Sequence, residues 1–209
     1  MSVLNRIAYF QERRDEVPNQ ELARELAESD NRVGIQEIAE NLWNKDTNVS
    51  FDCIKVLYEV GYIKPELIAE YVSDFLKLMK NKHNRLVWGA MLALSTIAAL
   101  RADEIYAQRD EIQKVMDKGS VITVDNGVKI MALVASHNKA YGREIFPYLL
   151  NHLRTCRPKD VPQHSEKIVV AVNAGNKSEF IAVLEKRMED LQGAQLTRVK
   201  KVIKEAEKK

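Results

Sequence analysis

The sequence predicts an all-α protein built from consecutive two-helix units. Three observations lead there: few turn-forming residues, apolar residues at helical spacing almost throughout, and a repeat of about 37 residues. Of the 209 residues, 45% are apolar, 30% charged and 7% aromatic, which is enough to bury a core, and only 8 Gly and 5 Pro are present. The tight reversals of all-β architectures consume Gly and Pro, so this balance favours helices.

Apolar periodicity places helices over 2–14, 18–29, 32–44, 47–62, 65–80, 84–100, 103–118, 123–138, 141–155, 160–173, 177–191 and 195–207. Pro18, Pro65 and Pro158 fall where a first helical turn tolerates a missing amide donor, and Thr47, Asp103, Thr123, Asp160 and Ser178 can accept bonds from free amides at helix starts. Gly61, Gly119, Gly175 and Gly193 fall near expected helix ends, where a left-handed residue costs least.

Sliding the chain by about 37 residues aligns six columns of matching size class. Cys53, Ala90 and Gly127 form a small column that marks close helix approach. Leu57 aligns with Leu94 and Met131, Val60 with Ile97 and Val134, and Gly61 with Ala98 and Ala135. In the companion helices Phe75 aligns with Ile112 and Leu149, and Met79 with Met116 and Leu153; a shift of about 35 then carries Val134, Leu149 and Leu153 onto Val169, Leu184 and Met188.

The segment Arg143-Glu-Ile-Phe-Pro147-Tyr-Leu-Leu-Asn-His-Leu153, followed by a polar turn and Ile168-Val-Val-Ala-Val172, resembles a HEAT repeat. That family commonly carries an internal proline in its first helix, then an acidic turn and a Val-basic pair in its second. Asp125 fits the turn, and Val128-Lys129 and Val199-Lys200 fit the pair; Val87-Trp88 and Glu166-Lys167 depart from it. The resemblance covers roughly residues 45–209. It implies a right-handed, armadillo-like α-solenoid superhelix, and by itself no chemistry. Residues 1–44 fit the register poorly and are expected to form an N-terminal helical cap over 45–209, one solenoid domain with no long polar linker. The last segment, from Thr197, is amphipathic through Val199, Val202, Ile203 and Ala206 and should close the far end.

Thirty-two Lys and Arg against 30 Asp and Glu leave a formal charge of +2, so a polyanion partner would need a local patch. The densest basic material lies between repeats: Lys77, Lys80, Lys82 and Arg85 beside His83, then Lys114 and Lys118 beside Asp117, then Arg154, Arg157 and Lys159. Inter-repeat turns of a solenoid project along one edge, where these cations would meet an acidic partner or phosphates, although cations at helix carboxyl ends also complement the macrodipole without any ligand. The resemblance puts second helices on the concave face, where the period exposes the column Lys55, Leu92 and Lys129. Its neighbours are mixed: Asp52, Gly89 and Asn126 on one side, Glu59, Thr96 and Leu133 on the other. A mixed face suits a protein or peptide better than a polyanion.

His83, His137, His152 and His164 show no His-Glu-x-x-His spacing and no Cys-x-x-Cys accompanies them, so spacing assigns neither metal nor cofactor. Cys156 and His164 can approach across the turn holding Pro158 and Pro162, but nothing local supplies an oxyanion hole, and Cys156 reads as a packing residue. Trp88 shares a column with Phe51 and is expected in the core; Trp43 ends the amphipathic segment holding Ile35, Ile38, Ala39 and Leu42 and is expected to seal the cap. The resembled family contains alkylpurine DNA glycosylases with aromatic-lined basic clefts and an essential Asp. Here the residues four after Trp88 and Trp43 are Leu92 and Thr47, so a Trp and Asp one turn apart is missing.

The primary expectation is therefore a non-enzymatic scaffold that presents a curved surface to a protein partner. The alternative is a nucleic-acid-binding HEAT-repeat protein related to those glycosylases. Two sparse cysteines read as reduced thiols, residues 1–14 lack a signal-peptide pattern, and the nearly apolar stretch 86–100 is short of the roughly 20 residues a bilayer requires, so the expected setting is the cytoplasm and not the membrane.

Overall fold

The computed structural model describes residues 2–209, and among them every regular element is helical. Twelve α-helices follow in order: α1 (Val17–Glu28), α2 (Arg32–Glu40), α3 (Thr47–Ile63), α4 (Val72–Leu78), α5 (Asn84–Ile97), α6 (Ala102–Tyr106), α7 (Arg109–Asp117), α8 (Val121–His137), α9 (Lys139–Thr155), α10 (Val161–Ile168), α11 (Lys177–Arg187) and α12 (Gly193–Glu207). None is long and apolar enough to cross a membrane. The chain packs as two compact units, one ending at Asn126 and one running from Gly127 to Lys209.

In the first unit α3 lies against α1, α2 and α5, and α4 against α5 and α6. α3 is buried along most of its length, from Val49 to Gly61, because apolar residues surround it on several faces. Gly61 and Gly89 set how closely α3 and α5 approach. A Cβ at Gly61 would fall 2.3 Å from Thr96 Oγ1, and one at Gly89 would fall 2.9 Å from Ile54 Cγ1. Gly61 thus sits inside α3 and ends nothing, and Gly193 (φ +52°) opens α12 instead of closing α11.

The helix expected over 2–14 does not form. One 3₁₀ turn, Leu4–Arg6, is followed by further turns, and Glu12 takes a left-handed φ of 54°. Two amides that a helix would use internally are claimed by distant side chains, Ala8 N donating to Asn19 Oδ1 at 2.9 Å and Tyr9 N to Asp52 Oδ2 at 2.7 Å, and Val3 N, free at any helix start, donates to Glu37 Oε2 at 3.0 Å. Ile7 and Ala8 are buried between these anchors. Five other expected helices are interrupted, 32–44 and 177–191 by the 3₁₀ turns Asn41–Trp43 and Met188–Asp190. Residues 65–80 start as the 3₁₀ turns Pro65–Leu67 and Ala69–Tyr71, with Arg101 Nε donating to the Ala69 carbonyl at 3.0 Å; 103–118 divides into α6 and α7; and 160–173 is α10 between two 3₁₀ turns. Side-chain caps fall to Asn31, Asp46 and Asn138, one residue away from the expected Thr47 in one case.

The second unit packs α9 on α10 and α11, and α12 on α10 and α11. Pro147 lies inside α9 with its ring exposed, so the proline takes no place in the core. Every residue of the six columns that the 37-residue shift aligned is buried, from Cys53, Ala90 and Gly127 through Met79, Met116 and Leu153.

Candidate functional site

In the first unit the predicted contact residues are largely engaged within the protein. Lys55, with 8% of its side chain exposed, is held by Glu16 Oε2 at 2.9 Å and Glu59 Oε1 at 2.7 Å. Burial works against its ammonium, but the two carboxylate partners outweigh it and the net shift is upward. Glu16 also faces Arg85 at 3.8 Å, Asp52 lies 4.0 Å from the same guanidinium, and Arg85 stacks over Phe51 at 4.9 Å. The non-helical segment up to Glu16 thereby covers part of the column that the period had exposed. Lys80 and Lys114 both approach Glu111, at 3.8 Å and 2.7 Å. Lys77, Lys82 and Lys118 are exposed and, among the described residues, carry no ion pair. Leu92 is half-buried, and Trp88 likewise.

Trp43 does not seal the cap. It is 49% exposed and donates its indole N–H to Asp74 Oδ1 at 3.3 Å, at the mouth of a cleft of about 500 Å³ that it shares with Lys82 and His83. The turn from Asn41 to Trp43 is 3₁₀, which swings the ring off the buried face of α2.

In the second unit Arg154 pairs with Glu179 at 3.1 Å and Arg157 with Asp160 at 2.6 Å, while Lys159 is exposed. Lys129 is half-buried, and desolvation lowers its pKa. A cleft of about 900 Å³ lies here, between the end of α8, the first half of α9 and the loop 170–176. Phe146, Ala171 and Val172 are buried beneath it, whereas Val170 on its edge is 42% exposed. Asparagines fix the loop: Asn176 Oδ1 accepts from Asn173 N at 2.8 Å, Asn173 Oδ1 from Gly175 N at 2.9 Å, and Asn176 Nδ2 donates to the Ala171 carbonyl at 3.2 Å. Ser136 gives its hydroxyl to the Leu133 carbonyl at 2.8 Å, and Glu179 is held by Arg154, so these two lining groups are engaged within the chain.

The fold also gathers three side chains that spacing did not connect. His152 in the last turn of α9, Cys156 at its C-cap and His164 in α10 bring their donor atoms within 4.8 Å of one another. The sequence suggests that Cys156 and His164 can approach across the turn holding Pro158 and Pro162, and His152 lies four residues before Cys156, on one helix face; no spacing motif joins the three. Both cysteines are free; burial is the main reason that the Cys156 thiol is pushed up to about 11, leaving it protonated near neutrality and a poor nucleophile.

No protein-family model matches the chain, and no curated protein matches its sequence. Solved structures do match. A designed armadillo repeat protein in complex with the peptide (KR)4 aligns over 90% of this chain and 85% of its own, at 17% identity and a TM-score of 0.69. The fold is that of an armadillo-like α-solenoid. A computationally designed armadillo repeat protein for modular peptide recognition agrees over 88% of this chain and 86% of its own (16% identity, TM-score 0.67). An engineered protein aligns over 100% of this chain and 98% of its own (15% identity, TM-score 0.67). At such identities the armadillo likeness extends to backbone architecture and not to residues at a site.

Proposed function

We propose that this armadillo-like chain is a non-enzymatic, cytoplasmic binding module whose second-unit cleft receives an extended segment of a protein partner. The observation that carries the reading is the likeness, over nine-tenths of the chain, to repeat proteins made for peptide recognition, one of them holding a peptide. The cleft adds local support. It has an apolar floor, an exposed Val170, and a loop held by its own asparagines, so little ordering is required on binding. Lys159, exposed in the same unit, serves to steer acidic flanks of the partner. Two cysteines that stay thiols suit a reducing compartment.

Selection of random-sequence peptides on the purified chain, followed by calorimetry, tests this. Val170→Asp should weaken selected peptides by at least about tenfold, since it removes one valine's burial, and should leave the melting temperature unchanged. Peptides that bind Val170→Asp as tightly as the unaltered chain would place the site elsewhere and overturn the cleft assignment.

A further inference from the structure

We infer that His152, Cys156 and His164 form a binding site for a divalent cation of zinc type, at the junction of α9 and α10 and apart from the cleft described above. The donor chemistry is two imidazoles and one thiol. That set suits Zn²⁺, which takes Cys and His ligands in tetrahedral sites and tolerates an open fourth position. The geometry is close to what the ion requires. His152 Nε2 and His164 Nδ1 already face one another at 2.9 Å, and all three donor atoms lie within 4.8 Å. A tetrahedral zinc ion holds N and S donors about 3.3–3.6 Å apart, so the rings must part by a few tenths of an ångström and Cys156 must close by about one. Cys156 is at a helix end and half-buried, where a χ1 change suffices.

The surroundings hold this site in place. Arg187, itself buried, donates from Nη1 to the carbonyls of Leu153 and Arg154, both at 2.8 Å, and from Nη2 to that of Cys156 at 2.9 Å; Asp190 pairs with its Nε at 3.0 Å. A single guanidinium thus fixes the three carbonyls of the turn that carries Cys156. His164 is 1% exposed, so its ring position is set by packing. His152 is half-buried beside it, and the two ring nitrogens that meet share one proton. On cation binding that proton moves to the outer nitrogen of its own ring, the thiol proton leaves to solvent, and both facing nitrogens and the thiolate become ligands. Three protein ligands leave one coordination position for water or for a donor from a partner.

The full chain, stripped with chelator, is titrated with Co²⁺ and then Zn²⁺. At one equivalent, Co²⁺ should give intense tetrahedral d–d bands and a thiolate-to-cobalt charge-transfer band, and Zn²⁺ should abolish both by displacement. A hundredfold excess of Zn²⁺ over its dissociation constant should raise the melting temperature by about 5–10 °C. Cys156→Ser, close in shape and at a half-buried position, should keep its helical circular dichroism while losing the charge-transfer band. His152→Gln should bind at least about tenfold more weakly. Absence of the charge-transfer band in the unaltered chain, or equal Zn²⁺ affinity and equal thermal shift in the unaltered chain and Cys156→Ser, would overturn the three-ligand site.

Discussion

Lys55 shows how a residue's meaning depends on segments far away in sequence. Period alone puts it on an exposed column, yet Glu16 from the non-helical N-terminal segment and Glu59 from its own helix enclose it. Nothing local to residue 55 encodes Glu16, just as nothing local to Arg187 encodes the three carbonyls it holds, more than 30 residues earlier. Such residues were illegible because their partners are set by tertiary packing. The pairing has a consequence for pH. The native ammonium is favoured over the unfolded one, so its stabilisation is complete below the unfolded lysine pKa of about 10.4 and declines as pH rises beyond it. Urea midpoints should therefore fall above about pH 10 in the unaltered chain, and Lys55→Met should flatten that alkaline decline. Equal declines in both proteins would assign the loss to other groups.

At the scale of elements, sequence placed eleven of the helical segments close to where they form, because apolar spacing survives even where a helix is broken into shorter pieces. It failed over 2–14, where the chain's amides are taken by Asn19, Asp52 and Glu37, and it misjudged Gly61 as an end signal. A glycine before Lys64-Pro65 looks like punctuation, whereas its cause is the neighbour helix. Two effects of Gly61→Ala oppose one another. Alanine gains about 1 kcal/mol of helix propensity, and the new methyl meets Thr96 Oγ1 at 2.3 Å and Ile68 Cδ1 at 2.7 Å, an overpacking worth about 1–3 kcal/mol. Thr96 is not free to yield, since its hydroxyl donates to the Ala93 carbonyl at 2.7 Å. With Thr96 held, overpacking falls toward the upper part of its range and wins: Gly61→Ala should lower stability by up to about 2 kcal/mol in urea titration. Unchanged or higher stability would mean that α3 and α5 shift apart at little cost.

At the scale of the whole molecule, the 37-residue register was legible because every repeat buries the same columns, and burial is what selects residue size there. The candidate sites were not, since they depend on which cations are already matched. The net charge is only +2, and among the predicted basic contacts Lys55, Lys80, Arg85, Lys114, Arg154 and Arg157 face carboxylates of the chain itself. Exposed ion pairs of this kind are worth little to stability but cancel charge locally, and a phosphate must displace the carboxylate before it gains the contact. Counterion release scales with the phosphates neutralised, so a predicted contact set most of whose cations are already matched gives a shallow salt slope. Duplex DNA should accordingly bind weaker than about 10 μM at roughly 150 mM salt, with a log–log slope shallower than about −3, measured by fluorescence anisotropy. Submicromolar binding with a steeper slope, lost when Lys77, Lys82 and Lys118 are replaced by alanine, would show that these pairs open to phosphate and would restore nucleic acid as the partner.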